Sequence, residues 1–405
     1  MSLNIDDRIP FHRPSIGAEE EAAVLRVLRS GWLTTAGEAR AFEAEFASAT
    51  GAAHAISVNS ATSGLHLALE AVGVGPSDRV ITTPYTFTSS AEVVRYLGAD
   101  PLFVDVREDD LNIDPELVAD ALAGRRGSRG GREVPATGGA SPVRAILPVH
   151  IGGHPCAIGE LCEMAGDAGV PVVEDAAHAF PASRDGRALG TWGACGVYSF
   201  YATKTITTGE GGMVVTADEE LAKRMTVMRL HGIDREVWDR YTSATPSWRY
   251  AVVEAGFKYN MPDVLAAIGR VQLTRARAFL DQRRAIASRY HELLADRDYL
   301  RLPPASGESS WHLYPIRLRL ERLSIDRDEF IERLAEAGIG TSVHYIPLHL
   351  MPYYRDRYGL KPDDFPVSWD AYRRAVSLPI YPGLSDESVA RVAETVVAIG
   401  DAALA

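Results

Sequence analysis

A lysine near the middle of the chain, Lys204, lies in a segment whose residue types could support covalent chemistry. Two short apolar runs, 197–200 and 213–216, enclose a polar turn that contains this lysine. The glycine-rich stretch 209–212 would let the backbone pass close to a bound group. A lysine amine that is shielded from water loses its proton more readily than one in bulk solvent. Lys204 could therefore form a Schiff base with a carbonyl compound.

A carboxylate upstream, Asp175, is the natural partner for this chemistry. It follows the strand signal at 170–174, whose three valines are typical of a buried strand. An aspartate at the end of a buried strand could cap a helix that begins at Ala176. It is also the group that the pyridinium nitrogen of pyridoxal phosphate requires. Together, Lys204 and Asp175 predict an enzyme that uses pyridoxal phosphate.

Length and composition exclude several other classes of protein. A chain of 405 residues can form a large domain and a smaller one. Its net charge of −12 disfavours a nucleic-acid partner. No apolar run approaches the roughly 20 residues of a membrane helix, and the first residues lack a signal-peptide pattern. Three cysteines, at 156, 162 and 195, fit neither a disulfide scaffold nor a zinc site. We expect a cytoplasmic enzyme with no metal, membrane or nucleic-acid partner.

Strand and helix signals alternate from about residue 54 to residue 216. Strands are predicted at 55–58, 79–83, 101–106, 143–149, 170–174, 197–200 and 213–216. Helical spacing of apolar residues predicts helices after Thr62 and over 89–97 and 115–122. This order predicts an α/β fold with a mostly parallel sheet flanked by helices. Ligands bind at the carboxyl ends of such strands, where Asp175 and Lys204 would meet.

The second half of the chain predicts a smaller C-terminal α+β domain. Its signals are helices at about 219–230 and 263–280, a strand at 311–319, and a helix from the cap Asp326 to about 337. We place the large domain at 1–255 and the smaller one at 256–405, with a boundary between 250 and 290. The segment 124–142 holds six glycines and four arginines. We interpret it as a mobile surface loop, and the alternative is a basic flap over an anionic substrate.

Several motifs along the chain have a recognisable order and spacing. They lie at 9–11, 30–34, 59–69, 84–88, 173–178, 197–216, 229–232, 258–263 and 343–349. In this order they resemble the DegT/DnrJ/StrS-type sugar-nucleotide aminotransferases, a family within the aspartate-aminotransferase-like (fold type I) pyridoxal phosphate enzymes. The resemblance extends almost from end to end of the chain.

The resemblance implies roles for the residues that match. Lys204 would carry the cofactor as a Schiff base and move the proton during catalysis. Asp175 would pair with the pyridinium nitrogen, Phe87 would stack on one face of the ring, and His178 would approach the phenolic oxygen. Phe87 and His178 could instead be ordinary core residues.

The resemblance also implies a site for the cofactor phosphate. Thr62 and Ser63 would offer backbone N–H groups at the start of a helix, where an anion binds well. Ser199 would add a hydroxyl group. Asn260 would reach the phosphate from a neighbouring subunit, which makes the active site a product of a homodimer, although it could also be an ordinary turn residue.

Four residues are candidates for substrate contacts. Tyr201 stands where many relatives carry histidine, and His344, Tyr345 and His349 belong to one late motif. A lone histidine is more often structural, so a core role is the alternative for the three residues of the late motif.

The resulting prediction is a transaminase that takes nitrogen from L-glutamate and delivers it to a nucleotide-linked keto-deoxysugar. Pyridoxal phosphate would alternate with pyridoxamine phosphate, and the late motif favours a 4-keto-6-deoxy sugar. Two alternatives remain. Relatives that use pyridoxamine phosphate to deoxygenate sugars replace the lysine by histidine, and a non-catalytic regulatory protein of this fold would have lost the lysine or the aspartate. Lys204 disfavours the first alternative, and the presence of both Lys204 and Asp175 disfavours the second.

Overall fold

The computed structural model describes residues 8–124, 141–234 and 250–405. Its helices there are α1 (Ala18–Ser30), α2 (Gly37–Thr50), α3 (Ala61–Ala71), α4 (Ser89–Tyr96), α5 (Pro115–Leu122), α6 (Ile158–Ala168), α7 (Glu219–Met228), α8 (Asp263–Leu294), α9 (Arg327–Glu336), α10 (Pro352–Tyr358), α11 (Pro366–Arg374) and α12 (Asp386–Ala402). Its strands are β1 (His54–Val58), β2 (Arg79–Thr82), β3 (Asp100–Phe103), β4 (Val143–Ile146), β5 (Val173–Asp175), β6 (Ser183–Arg184), β7 (Arg187–Ala188), β8 (Cys195–Ser199), β9 (Gly212–Thr216), β10 (Leu300–Arg301), β11 (Tyr314–Leu318) and β12 (Ala375–Leu378).

The first half of the chain forms a mixed sheet in which parallel pairs dominate. Strands β3-β2-β4 are parallel, and β5 is parallel to β8, while β9 runs antiparallel to both β8 and β1. Parallel bridges from Ile146 to Val172 and from Val149 to Asp175 join the two parts. The order across the sheet is therefore β3-β2-β4-β5-β8-β9-β1. The predicted α/β fold with a mostly parallel sheet is confirmed.

Helices cover both faces of this sheet, as alternation along the strands requires. Ile81 packs in a cluster that includes Phe42 and Phe46 of α2, while its neighbour Val80 packs with Leu67 of α3 on the other face. Successive strand residues point to opposite faces, so each strand contributes to both cores. This packing fixes the carboxyl ends of the parallel strands along one edge.

The C-terminal part has a small antiparallel sheet, β10-β11-β12, with its own hydrophobic cluster. The long helix α8 belongs to both clusters, because Phe279 packs under the large sheet and Ile286 packs in the C-terminal cluster. Ile9 packs in the C-terminal cluster as well, although its sequence position assigned it to the first domain. The division at residue 255 stays a prediction.

The predicted elements agree closely with the structure wherever apolar spacing is strong. Helix α5 has the predicted bounds, and Asp326 caps α9 by accepting from the backbone N–H of Glu329 at 2.9 Å. Helix α8 continues past residue 280 to Leu294, since buried residues recur along its whole length. The glycine–arginine segment lies almost entirely outside the described residues. Among the residues described, no helix combines the length and apolarity needed to cross a bilayer.

Candidate active site

A cavity of about 590 Å³ opens where the parallel strands end, and both Asp175 and Lys204 line it. Most of the residues predicted from sequence lie on its wall. Those found there are Thr62, Phe87, Asp175, His178, Ser199, Tyr201, Lys204, His344 and Tyr345. Ser63, Asn260 and His349 are not among the lining residues. The fold therefore gathers residues from distant parts of the sequence around one lysine and one aspartate.

Asp175 is the last residue of β5, and its side chain is buried at the base of the cavity. Its Oδ2 accepts a hydrogen bond from the Ser90 hydroxyl at 2.8 Å, and its Oδ1 accepts from the backbone N–H of Ala177 at 3.2 Å. Burial raises the pKa of Asp175, and these bonds and the nearby Lys204 oppose that rise. A cation placed against this carboxylate would stabilise its charged form. A pyridinium ring fits that requirement.

Lys204 lies in the turn after β8, where its backbone N–H donates to the carbonyl of Tyr201 at 2.9 Å. Burial lowers the pKa of its amine to about 8, Asp175 opposes this shift, and Arg283 adds to it. At pH 7 roughly a tenth of the amine is then neutral, compared with well under a thousandth for an ordinary lysine. The neutral amine is the nucleophile that attacks an aldehyde.

The residues predicted around the cofactor ring include one exposed aromatic and one buried imidazole. Phe87 is 57% exposed, and its ring lies 6.3 Å from that of Tyr345. His178 bonds the Tyr345 hydroxyl through Nε2 at 3.0 Å, and its buried Nδ1 has no partner among the described residues. Burial, with Lys204, holds the pKa of His178 well below its usual range. An exposed ring platform and an unsatisfied imidazole nitrogen both fit an aromatic cofactor with an oxygen substituent.

The start of α3 supplies the predicted phosphate site. Ser60 caps the helix by accepting from the backbone N–H of Ser63 at 3.1 Å, and the Ser63 hydroxyl donates to Oδ1 of Asn59 at 2.7 Å. Ser60, Ala61 and Thr62 line the cavity, with Ser199 beside them. The first N–H groups of a helix are free for an anion. The structure therefore presents Thr62 to the cavity, whereas Ser63 is used to cap the helix.

Besides Ser63, two predicted residues do not line the cavity. Asn260 donates through Nδ2 to the Thr35 hydroxyl at 2.6 Å and accepts from the Lys258 amine. Its contact with a neighbouring subunit stays a prediction. His349 is fully buried and packs against Phe365 at 4.8 Å between ring centroids. The short helical turn at 348–350 directs it into the core, so the structure gives no geometric basis for its predicted contact with substrate.

Several lining residues were missed by the sequence analysis. Phe11, His12, His312 and Ile380 come from irregular segments far from the lysine in sequence. His12 bonds the carbonyl of Ala202 through Nε2 at 3.1 Å and so holds the lysine turn. A signal for His12 was present, because it follows directly on the motif at 9–11. His312 and Ile380 carried no signal, since only the tertiary packing brings them to the cavity.

The sheet topology, with a lysine and an aspartate at its carboxyl edge, defines a fold type I pyridoxal phosphate-dependent enzyme. The carboxylate of Asp175 is chemically suited to the ring nitrogen of pyridoxal phosphate, and the amine of Lys204 is suited to its aldehyde. The Phe87 ring suits one face of the cofactor ring, and the N–H groups at the start of α3 suit its phosphate. The chain belongs to the DegT/DnrJ/EryC1/StrS aminotransferase family, whose model matches residues 14–397.

Individual relatives support this assignment over nearly the whole chain. The spore coat polysaccharide biosynthesis protein SpsC of Bacillus subtilis is 41% identical over 391 residues, which is 96% of each protein. Spr1654 of Streptococcus pneumoniae, assigned as a sugar aminotransferase and solved in a pyridoxamine phosphate form, is 30% identical with a TM-score of 0.87, covering 97% of this chain and 99% of that one. It is also solved in a pyridoxal phosphate form. PseC of Helicobacter pylori, an aminotransferase of pseudoaminic acid biosynthesis, is 27% identical with a TM-score of 0.86 over 98% of this chain and all of the other.

The protein is thus a pyridoxal phosphate-dependent sugar aminotransferase. Its reaction requires an amino donor and a keto-sugar acceptor, and its cofactor alternates between pyridoxal and pyridoxamine phosphate.

Proposed function

We propose that the enzyme transfers an amino group from L-glutamate to a nucleotide-linked keto-deoxysugar, with a 4-keto-6-deoxy sugar as acceptor. The product would enter amino-sugar, polysaccharide or glycan biosynthesis. The observation that carries the proposal is the placement of Lys204 and Asp175 on the wall of one cavity. The involvement of SpsC in spore coat polysaccharide and of PseC in pseudoaminic acid supports a sugar as acceptor. The late motif 343–349 favours amination at the 4-position.

Two residues would do the central chemical work. When bound, pyridoxal phosphate supplies an electron-withdrawing ring that stabilises negative charge at the substrate carbon and stores the amino group between half-reactions. Asp175, buried and held by Ser90, would keep the ring nitrogen protonated. The Lys204 amine, with its pKa at about 8, would take a proton from the substrate carbon and return it.

The remaining cavity residues would orient the two substrates and exclude water. His178 would meet the ring's phenolic oxygen with its Nδ1, which has no partner within the described ranges. Tyr201 is 47% exposed on the cavity wall, and Glu210 lies on the same wall. Both could contact the sugar, because hydroxyl and carboxylate groups bond well to sugar hydroxyls. His344 and Tyr345 would close the opposite side.

We also propose a homodimer with the active site at its interface. Around the end of α1, Leu25, Leu28, Trp32 and Leu33 expose large apolar side chains that a second subunit would cover. Asn260 lies outside the cavity of its own chain, as a residue that serves the partner would. Mixing an inactive Lys204→Ala variant with an inactive Asn260→Ala variant tests this: a shared site restores activity in hybrid dimers, and an unshared site leaves the mixture inactive.

The lysine assignment is tested by borohydride reduction in the presence of pyridoxal phosphate, followed by peptide mapping. We expect the cofactor to be fixed on Lys204, and Lys204→Ala to lose both the visible absorbance and the glutamate half-reaction. Lys223→Ala is the matched control, since that lysine is exposed on α7 and pairs with Glu219 and Glu220. A label on another lysine would contradict the proposal, and an uncoloured protein would favour a regulatory role.

The acceptor is identified by assaying glutamate-dependent amination over a panel of nucleotide-linked keto-sugars. We expect turnover with 4-keto-6-deoxy sugars and little with 3-keto isomers. Preference for a 3-keto sugar would overturn the acceptor assignment and leave the lysine assignment intact.

A further inference from the structure

Arg283, on α8, is a fully buried arginine with unusual partners. Its Nη1 donates to the carbonyl oxygens of Trp311 at 3.1 Å, His312 at 3.3 Å and Ile380 at 2.8 Å. Its Nε and Nη2 have no partner among the described residues. Burial, with no carboxylate opposing it, lowers the pKa of Arg283 to about 9. In the described part of the chain, this guanidinium is bound by carbonyl groups alone.

A second buried arginine shows how a guanidinium with a structural role is stabilised. Arg317, on β11, donates to the backbone carbonyls of Glu108 and Asp109, and the acidic side chains of Glu108 and Asp370 lie near enough to favour its charge. Burying a charge without such compensation is costly, so a buried guanidinium that lacks acidic neighbours needs another explanation.

The position of Arg283 supplies that explanation. Two of the residues whose carbonyls it binds, His312 and Ile380, line the cavity that contains Lys204. The guanidinium therefore lies directly behind the cavity wall and ties together two segments that are far apart in sequence. Its charge reaches across the wall, since it lowers the pKa of Lys204, His12 and His312 in addition to the effect of burial.

We propose that Arg283 is a positioning residue for the aminotransferase: it holds the 311–312 and 380 segments in place, and its positive charge behind the cavity wall favours the neutral, nucleophilic form of the Lys204 amine. The inference rests on the role proposed above for Lys204. Arg283 acts through Lys204 and the wall, and it does not touch the substrate.

The other groups around Lys204 do not replace this charge. Asp175 acts in the opposite direction and favours the protonated amine. The imidazoles facing the lysine are neutral at pH 7, because burial lowers their pKa values: His12, His178, His312 and His344. Glu210, Tyr201 and Tyr345 are the other titratable side chains that line the cavity among the described residues. Asp175 favours protonation of Lys204, and Arg283 is therefore the charged group that disfavours it.

The test measures the free amine of Lys204 directly in the full-length protein after removal of the cofactor. Wild type, Arg283→Met and Arg283→Lys are treated with an amine-acylating reagent between pH 6.5 and 9.5, and modification of Lys204 is quantified by peptide mass spectrometry. Exposed Lys223 serves as the internal reference. Thermal unfolding confirms that each variant is folded, and Arg283→Gln, which keeps an N–H donor for the carbonyls, replaces Arg283→Met should the latter not fold.

At pH 7.5 we expect Arg283→Met to lower the modification of Lys204 roughly tenfold, the change that one pKa unit produces below the midpoint. The pH profile should shift upward, and Arg283→Lys should stay within about twofold of wild type because it keeps the charge. Arg284→Met is the matched control on the next position of α8, where the side chain donates to the carbonyl of Gly307.

An unshifted profile in Arg283→Met, or an equal shift in Arg284→Met, would overturn the proposal. Because acylation is read without cofactor or substrate, this result is independent of the lysine assignment. Failure of that assignment would appear only in the borohydride mapping.

Discussion

Glu174 and Asp175 are consecutive carboxylates on β5 that face opposite sides of the sheet, and their surroundings differ sharply. Glu174 is fully buried and accepts hydrogen bonds from the backbone N–H groups of Gly190, Trp192 and Gly193 at 2.6–2.8 Å and from His150 at 3.0 Å. Asp175, on the cavity side, accepts hydrogen bonds among the described residues only from the Ser90 hydroxyl and one backbone N–H.

The interior side is thus complete without a ligand. The Nδ1 of His150 accepts from the backbone N–H of Cys156 at 3.2 Å, so its proton is on Nε2 and is donated to Glu174. Both carboxylate oxygens of Glu174 and both ring nitrogens of His150 have partners among the described residues. The cavity side leaves acceptor capacity on Asp175, and Nδ1 of His178 has no partner in the part of the chain that the structure describes. The comparison indicates that buried polar groups whose hydrogen bonds are all made within the chain are structural. Buried polar groups with hydrogen-bonding capacity left over indicate a binding surface.

The sharpest test of this contrast is Asp175→Asn. The amide keeps the shape but cannot hold the ring nitrogen protonated, so we expect kcat/KM to fall roughly 1,000-fold, the upper range for losing one preorganised electrostatic contact. Stability should be unchanged, because burial already disfavours the charge of Asp175. Asp167→Asn, on the exposed side of α6, is the control for steady-state kinetics and thermal unfolding. Retained activity in Asp175→Asn would contradict a catalytic role for the carboxylate on the cavity side.

Glu174→Gln should have the opposite profile. The amide has one acceptor oxygen in place of two, and its NH₂ group faces backbone donors. We expect the free energy of unfolding to fall by about 3 kcal/mol, measured by chemical denaturation, because buried N–H groups lose their acceptors. Turnover per folded molecule should change only a few-fold. Full stability, or a large kinetic defect in the folded fraction, would show that the interior cluster also serves catalysis.

Ser90→Ala gives the smallest effect and refines the comparison. It removes the hydroxyl that orients Asp175, and we expect roughly a tenfold loss of kcat/KM, within the range for groups that orient a ligand-binding residue. Ser368→Ala is a matched control, because Ser368 makes the equivalent bond to the buried Asp105 at 2.6 Å and neither residue lines the cavity. The control should lose stability without losing turnover, and similar kinetic losses in both variants would argue against an orienting role for Ser90.

The parts of the site that lie at strand ends were predictable. An apolar run defines a strand, and the polar residue after it lies at the carboxyl edge, which is how Asp175 and Lys204 were placed together. Ser90 was predicted only as part of a helix, because its bond to Asp175 depends on how α4 packs against β5. The two acids of β5 look alike in sequence, and only the packing on each face distinguishes them.

The part of the cavity wall that residues after position 300 contribute was harder to predict, because these lining residues lie outside the helices and strands. His344 and His349 belong to one motif, yet His344 lines the cavity and His349 packs against Phe365. A local helical turn makes the two side chains point in different directions, and no pattern of residue types in the sequence predicts that turn. Arg283 was missed because the helix predicted from sequence ended at about residue 280, whereas the observed helix α8 continues to Leu294 and buries this side chain.

Helix α8, at about 48 Å, spans both hydrophobic clusters. Because both clusters pack on this helix, unfolding of one end would also remove packing contacts at the other end. We therefore expect its central amides to exchange with deuterium only when the entire molecule unfolds. Chimeras between relatives inherit the same constraint. A crossover inside this helix would join two halves of α8 that evolved to pack against the hydrophobic clusters of different proteins. A crossover ahead of residue 263 would instead exchange the whole helix together with the C-terminal cluster.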